Sequence, residues 1–482
     1  MNDSDLKQFD DVIIGSGQAA PSLAVTLGSH GRNVALVEGN ALGGSCVNYG
    51  CTPTKTLRKS ARVAHMVRNA GSFGVDVPCF TVNFAAAMAR MRDRVSTSRG
   101  GLEQWLASSK GVTPIWGWAS FDGRDGDRFK IRIGDRAITA GRVFLNTGTR
   151  PFIPSIPGLA ESGYLDNVTL LDLSELPRHL IVLGGSYIGL EMGQIFRRLG
   201  SDVTIIEAGP DVASREDNDV SEAVRNFLDA EGIRILRNSA VVKIQRTGAS
   251  RIVELGNGDR IEGSHILIAT GRLPNTDRIA LESVGVETDE RGYVPTDDHL
   301  RTNVHGIWAL GDINKRGAFT HTSYHDHEIV LASISGAASS KVALYQWKSA
   351  AERPQTYAMF TDPPLGRVGM GLREAKAAAN SGRRILVATH QMAQISRAKE
   401  ESETFGLIRL VVDADTDKFL GATVLGFNGD EIIAIISNFM ASGSSYRIMQ
   451  QALPVHPTVA EFLPTILAKL EPVHAQCMQE NA

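Results

Sequence analysis

Two cysteines stand with four residues between them in a glycine-rich stretch, Gly43-Gly44-Ser45-Cys46-Val47-Asn48-Tyr49-Gly50-Cys51-Thr52-Pro53-Thr54-Lys55. If Cys46 opens a helix, Cys51 lies roughly a turn and a half further along it. Gly50 lets the intervening backbone bend, so the two sulfurs can close into a small reducible ring. A dithiol that opens and closes carries an electron pair. Pro53 fits a kinked start to the helix that bears Lys55. Two buried structural cysteines would require neither these glycines, nor this spacing, nor the lysine.

The elements around the pair are built for dinucleotides. Asp11-Val12-Ile13-Ile14 reads as a buried strand, Gly15-Ser16-Gly17-Gln18-Ala19-Ala20 as a turn, and Pro21 to Leu27 as a helix. Asn33 to Val37 is a second strand, ending at Glu38. This is the dinucleotide fingerprint in its structural context. Gly15 makes the tight turn, Gly17 lets a pyrophosphate approach the helix N-terminus, and Ala20 allows close packing. Glu38 would accept from the ribose hydroxyls.

The pattern recurs from Leu180. A strand, Ile181-Val182-Leu183, leads into Gly184-Gly185-Ser186-Tyr187-Ile188-Gly189, a helix to Leu199, and a strand Asp202 to Ile206 that ends at Glu207. Gly184 and Gly189 hold the outer fingerprint positions. Ser186 replaces the middle glycine, so its side chain must point away from the pyrophosphate. Two such folds imply two dinucleotides. A carboxylate at Glu207 bonds ribose hydroxyls and repels a 2′-phosphate, which favours NADH, with NADPH as the alternative. Arg215 lies eight residues on, past Gly209-Pro210.

Together these segments resemble the FAD-dependent, class I pyridine nucleotide-disulfide oxidoreductases, the family of dihydrolipoamide dehydrogenase, glutathione reductase and mercuric reductase. The likeness runs over nearly the whole chain. It implies FAD on the first fingerprint and a nicotinamide cofactor on the second. Cys46 becomes the thiol that attacks substrate, Cys51 the thiol against the flavin, and Lys55 the residue beside flavin N5, paired with Glu191. Gly148, in the strand-and-turn Val143 to Pro151, marks the second FAD contact. Asp312, ending Gly306 to Asp312, bonds the FAD ribitol. Tyr187 matches the gating tyrosine over the nicotinamide pocket, and a packed aromatic is the alternative. Gly271 lies in His265 to Asn275, the signature at the exit of the nicotinamide domain. His456-Pro457-Thr458-Val459-Ala460-Glu461 matches an acid–base histidine oriented by a glutamate, which reaches the partner subunit's Cys46. A leaving thiolate must take a proton, and imidazole has a suitable pKa.

The expected fold is α/β: two Rossmann-like dinucleotide-binding domains and an α+β C-terminal dimerisation domain. The divisions fall at 1–155 (FAD, first part), 156–278 (NAD(P)H), 279–347 (FAD, second part) and 348–482 (dimerisation). Residues 60–106 read as a solvated helical pair with Trp105 in the core, and 112–140 as short strands with a turn at Gly123 to Asp127. Cys79 lies in a Val77 to Phe80 turn as a structural or free thiol. His321 and His325 share a helical face, but no third ligand is evident and no metal site is expected.

The chain has 482 residues and a formal net charge of −3, with no basic footprint for nucleic acid. It shows no signal peptide and no run of eighteen apolar residues. Four cysteines, two in a redox motif, suit a reducing cytoplasm. Gln18-Ala19-Ala20-Pro21 and the redox stretch resemble mercuric reductases. Against that stand the single C-terminal cysteine, Cys477 beside Met478, a first strand that leaves no room for an extra N-terminal domain, and the His-Pro-Thr motif. Glu207 disfavours glutathione reductase. The reading is a homodimeric reductase of a small disulfide, a lipoyl group or a similar oxidant. The alternatives are reduction of Hg(II) or Cu(II) at the same thiols, or a lipoyl-carrier partner or redox sensor.

Glu207 generates the first prediction. NADH has the higher kcat/KM, and Glu207→Arg narrows the gap between NADH and NADPH. Steady-state kinetics with both cofactors checks this, and a wild-type preference for NADPH would contradict the assignment of Glu207.

Overall fold

The computed structural model describes residues 6–335 and 349–473. The strand Lys7–Ile14 runs parallel between Val34–Glu38 and Arg136–Leu145, and Val112–Trp116 lies outside Val34–Glu38. Val12 to Ile14 and Val34 to Val37 are buried throughout, as a parallel sheet covered on both faces requires. On the edge away from Lys7–Ile14, Arg136–Leu145 pairs twice. Its first half runs antiparallel to Arg128–Ile133, and its last three residues run parallel to Ile307–Ala309. The chain therefore leaves this seven-stranded sheet and returns to it some 160 residues later, where the Leu310 carbonyl accepts from Asn146 and Asp312 lines the same cavity as the first glycine turn.

Between departure and return, four parallel strands form the order Arg234–Leu236, Asp202–Ile206, His179–Leu183, His265–Ile268. A three-stranded antiparallel sheet covers this unit, and an antiparallel pair, Thr149–Pro151 with Arg272–Pro274, spans the crossing. The C-terminal unit is a six-stranded antiparallel sheet, Thr356–Met359, Leu365–Gly369, Phe419–Leu425, Leu407–Asp413, Ile385–Gln391, Glu471–Pro472. The helix Gly429–Ser442 lies against it. The expected α/β architecture with its α+β third unit is present.

Three local readings change. Cys46 and Cys51 do not share one helix: Gly44–Asn48 is a short helix, the chain breaks at Tyr49-Gly50, and Cys51–Arg68 begins anew. Trp105 is 42% exposed rather than in the core. The helix Phe84–Ser108 buries Phe84, Met88, Met91 and Leu106, and Trp105 falls beside that stripe. The 123–127 turn is displaced, because the strand Ala119–Asp125 runs through its first half before turning into Arg128–Ile133.

One contact governs how the units meet. The helix Cys51–Arg68 packs against Tyr187–Leu199. The first carries Cys51, Lys55, Arg58 and Arg62 at intervals of four, three and four, which places them on one face. The second carries Tyr187, Glu191, Gln194 and Arg198 at the same intervals. Lys55 Nζ meets Glu191 Oε2 at 2.9 Å. At the far end Arg58, Arg62 and Arg198 all reach the buried carboxylate of Asp362, from the C-terminal unit. Gln194 exchanges two hydrogen bonds with the Asp362 backbone, at 2.7 and 2.8 Å. Arg198 also pairs with Glu231 at 2.7 Å.

Burial alone would raise the Asp362 carboxyl, but Arg198, Arg62 and Arg58 overcome it and hold it below its ordinary value. A depressed carboxyl stabilises the fold above its unfolded pKa of about 4, and that contribution is lost as pH falls through the folded value. Asp362→Ala removes the carboxylate shared by three guanidinium groups, leaving Arg198 with Glu231 and Arg62 with Glu403, and is expected to cost about 3 kcal/mol at neutral pH, the lower end of the range for breaking a buried pair. Urea denaturation followed by circular dichroism reads this as a lower midpoint, and the deficit relative to wild type shrinks in acid.

Candidate active site

The two glycine turns are built alike. Asn146 follows one strand and Ala269 follows another. Each donates its N–H, at 2.8 Å, to the last residue of the neighbouring strand, Ile14 or Leu183. Each then turns its carbonyl onto the glycine that opens the turn. Gly15 has φ +90° and Gly184 φ +109°, and a Cβ on either would lie 2.4 Å from that carbonyl oxygen. Only glycine fits there.

The acids that close each motif hold the turns in place. Glu38 accepts from the Ser16 N–H at 2.9 Å, the Ser16 hydroxyl at 2.6 Å and the Asn40 N–H at 2.7 Å. Glu207 accepts from the N–H groups of Gly185 and Gly209, both at 2.7 Å. Ser16 Oγ also accepts from the Gly43 N–H at 3.1 Å, which ties the first turn to the redox stretch.

A continuous cavity of about 2350 Å³ joins both turns to the thiols. Gly15, Gly17, Glu38, Cys46, Cys51 and Lys55 line it from the first unit, with Gly148 and Asp312. Gly184, Ser186, Tyr187, Glu191, Glu207 and Gly271 line it from the second. Ala20 and Gly189 do not: Ala20 is buried in the core, and Gly189 packs on the Gly184 carbonyl. Three buried side-chain atoms among the lining residues, Thr54 Oγ1, Asn146 Oδ1 and Arg353 Nη2, have no hydrogen-bond partner. With a glycine turn opening onto a helix, an acid at a strand end and the Asp312 carboxylate, this donor set fits a flavin dinucleotide. Asp312 accepts from Thr149 Oγ1 at 3.0 Å, and burial pushes its carboxyl up despite Arg272.

Cys46 and Cys51 are unbonded to one another and half-buried. The Cys51 thiol is lowered to about 6, first by a hydrogen bond from Cys46, then by Thr320 and Lys55, against burial. The same shared proton, together with burial, drives the Cys46 thiol upward. These shifts favour Cys51 as the thiolate and Cys46 as its donor. Thr320 Oγ1 stands 3.2 Å from Cys51 Sγ and opens the helix Thr320–Ser335, whose N-terminal end favours negative charge. Lys55 Nζ lies 4.3 Å from the Phe360 ring centre, and Glu191 Oε1 accepts from the Phe360 N–H at 2.8 Å.

His456 Nδ1 lies 2.9 Å from Glu461 Oε2, but neither residue lines the cavity of its own chain. The imidazole is 76% exposed, next to Val455 and near Leu453, also exposed. His321 turns Nε2 to the Thr356 carbonyl and His325 pairs with Glu328 at 3.3 Å. Among the described residues no three His, Cys, Asp or Glu side chains group as for a metal ion. Cys79 is exposed, and Cys477 and Met478 lie outside the described residues.

Three contributors escaped sequence reasoning. Thr320 could be read as a helix opener, but not as the partner of a thiol 269 positions earlier. Tyr357 and Glu216 lie far apart in the chain yet meet at 2.8 Å. Tyr187 donates to the same Glu216 oxygen at 2.6 Å, and burial with that neighbouring charge pushes its phenol upward, so it stays a donor.

Comparison with known proteins agrees with this geometry. The family model described as pyridine nucleotide-disulphide oxidoreductase matches residues 9–327, and its dimerisation domain matches 356–466. The chain is 34% identical to the probable pyridine nucleotide-disulfide oxidoreductase RclA of Escherichia coli, covering 95% of this chain and 98% of that one. It is 31% identical to a mercuric reductase of Staphylococcus aureus, over 94% and 81%. It is also 31% identical to a dihydrolipoyl dehydrogenase of Chlamydia trachomatis, over 94% and 95%. The solved structure of the HOCl-induced flavoprotein disulfide reductase RclA superposes with a TM-score of 0.83 at 33% identity, covering 96% of this chain and all of that one. Its copper(II) complex gives 0.83 at 32%, over 96% and 99%. With two cradles, a polarised dithiol and both family models matched, the chain belongs to the pyridine nucleotide-disulphide oxidoreductases, FAD-dependent enzymes that draw electrons from NAD(P)H and act as homodimers.

Proposed function

We propose that this chain is a cytoplasmic, NADH-preferring reductase of a small disulfide or a lipoyl group, acting through Cys46 and Cys51. The observation that carries the reading is the polarised thiol pair, Cys51 as thiolate and Cys46 as its proton donor, on the wall shared by both dinucleotide cradles. Bound FAD supplies the two-electron link between NADH and the Cys46–Cys51 disulfide. Gly15, Gly17, Glu38, Gly148, Asp312 and Lys55 would hold it, with Glu191 paired to Lys55. Gly184, Ser186, Tyr187, Glu207 and Gly271 hold NADH. The domain divisions at residues 155, 278 and 347 belong to the same proposal, and the last lies outside the described residues. No described helix is long and apolar enough to cross a membrane.

The substrate step balances with side chains alone. Cys46 gives its proton to the partner subunit's His456 and attacks one substrate sulfur, and the substrate disulfide breaks. The departing thiolate takes that proton from the imidazole. The Cys51 thiolate then attacks the Cys46 sulfur, closes the ring and releases the second thiolate to be protonated by water. Glu461 keeps the imidazole oriented. The exposed imidazole and the cavity without it fit an active site completed across the homodimer.

The likeness to RclA, solved as a Cu(II) complex, and to mercuric reductases supports a second reading, in which the dithiol delivers electrons to Cu(II) or Hg(II). Oxidation of NADH against lipoamide, glutathione disulfide, other thiol disulfides, Cu(II) and Hg(II) separates the two. A rate with metal and none with any disulfide would replace the first reading by the second.

Two predictions follow from the thiols and the imidazole. In the reduced enzyme, alkylation at Cys51, read by mass spectrometry, rises with pH through a midpoint of about 6. Cys46→Ala and Thr320→Val each remove a donor to the thiolate and move that midpoint upward; an unmoved midpoint would contradict the assigned donors. His456→Ala slows disulfide turnover by about 10²–10⁴, the usual range for general acid–base catalysis, while flavin reduction by NADH is nearly unchanged. Glu461→Gln costs less. Metal reduction needs no such proton and is far less sensitive to His456→Ala. Rapid mixing of the two half-reactions checks these expectations.

A further inference from the structure

The two cradles match at one more bond, and just beyond it they part. The Gly117 N–H donates to the Glu38 carbonyl at 2.9 Å, and the Ser239 N–H donates to the Glu207 carbonyl at 3.0 Å. Each donor lies shortly beyond the strand that flanks its acid, Val112–Trp116 beside Val34–Glu38 and Arg234–Leu236 beside Asp202–Ile206. Gly117 and Ser239 therefore hold equivalent places. The next residue is Trp118 in the first cradle and Ala240 in the second, and both line the cavity. The residue after the acid differs in step: Gly39 follows Glu38, and Ala208 follows Glu207.

Gly39 makes room for the indole. A Cβ there would stand 2.6 Å from Trp118 Cδ2 and 2.8 Å from Cε3, while its backbone lies outside the left-handed region. The ring, and not the chain's path, requires this glycine. Gly117 supplies the turn. It holds φ +142°, and a Cβ would meet Ile133 Cγ2 at 2.6 Å. The chain thus leaves Val112–Trp116, turns beside Glu38 and enters Ala119–Asp125, with the indole at the crossing. Two glycines seat a side chain that stays 66% exposed. A single exposed apolar residue is ordinary. An exposed indole seated on a glycine, beside an acid placed for a ribose, is a surface suited to a planar partner.

We propose that Trp118 binds the adenine ring of FAD, as a stacking platform that the second cradle lacks at Ala240. This rests on the reading that FAD lies on the first glycine turn and NADH on the second. The ribose whose hydroxyls Glu38 takes carries the base on the same sugar ring. The adenine therefore reaches the wall formed by Gly39, Asn40, Gly117, Trp118 and Ala119. Among them Trp118 alone has a π face. Stacking a base on an aromatic ring is worth roughly tenfold or more in affinity and needs no matched hydrogen bonds. The asymmetry suits the two cofactors. FAD stays through every turnover, whereas the nicotinamide cofactor enters reduced and leaves oxidised, and a platform at Ala240 would slow its departure.

The test is the release of FAD from diluted holoenzyme, followed by ultrafiltration and flavin fluorescence. Trp118→Ala is expected to raise the release rate constant about tenfold. Trp118→Leu keeps an apolar side chain without a π face and does nearly the same, while Trp118→Phe stays within about threefold of wild type. The dissociation constant for NADH, from rapid-mixing reduction of the FAD-loaded enzyme, is unchanged in each variant. Full retention of FAD by Trp118→Leu would reduce the indole to apolar cover and overturn the platform, as would wild-type release from Trp118→Ala. Equal losses of FAD and NADH affinity would mark general damage to the fold and overturn it too. Glu38→Ala tests the parent reading separately. Unaltered FAD release there removes the adenosine from this turn, whereas faster release in Glu38→Ala with Trp118→Ala unmoved overturns the platform alone.

Discussion

The polar seam between Cys51–Arg68 and Tyr187–Leu199 is the constraint on which the rest depends. Charges at matched helical intervals meet in one register only. A slip of one turn, about 5.4 Å, would part Lys55 from Glu191 and leave Asp362 facing the wrong arginines. A buried carboxylate without its guanidinium partners is costly, so the seam selects a single alignment rather than a family of them. That alignment fixes where Cys51 stands relative to the second glycine turn. Distance between donor and acceptor of electrons is thus set by an ion-pair register at the far end of two helices. Arg409, buried from the C-terminal sheet, repeats the device by pairing with Asp217 at 2.9 Å and with Asp219.

Much of the cofactor cradle was legible because its signals are local. A strand, a glycine turn, a helix and an acid occur within thirty residues, and backbone sterics force them into one geometry. The thiol pair was legible for the same reason, although its helix breaks at Tyr49-Gly50. Trp105 was misread because a helix with four widely spaced buried residues offers a weak stripe, and one position of rotation separates Leu106 from its neighbour. Thr320, Glu216, Tyr357 and Asp362 were illegible for a different reason. Each acts on a partner more than a hundred residues away, or on several at once, and no periodicity encodes such meetings. Tyr187 lies between these cases: its place on the turn could be read, its acceptor could not.

The proposed acid–base pair would bring an oligomer into the chemistry. His456 and Glu461 are in contact with each other and outside the cavity of their own chain. Apolar residues shortly before them in the chain, Leu453 at 98% exposure and Ile448 at 56%, are exposed in a way a lone chain does not favour. On the proposed reading, a homodimer that covers such a surface would deliver the imidazole at once, and dissociation would cost the substrate step its proton.

The twin turns carry a consequence for how such a protein can be altered. Each opening glycine is seated under a carbonyl from a distant strand, Asn146 for Gly15 and Ala269 for Gly184. Lock and key are therefore encoded far apart, at separations of 131 and 85 positions. A cassette spanning only Gly184 to Glu207, grafted from a relative to change nucleotide preference, would arrive without its keystone. Recombination that respects these structural units must cut outside both halves of each lock, so the natural unit of exchange is the whole parallel sheet rather than the motif.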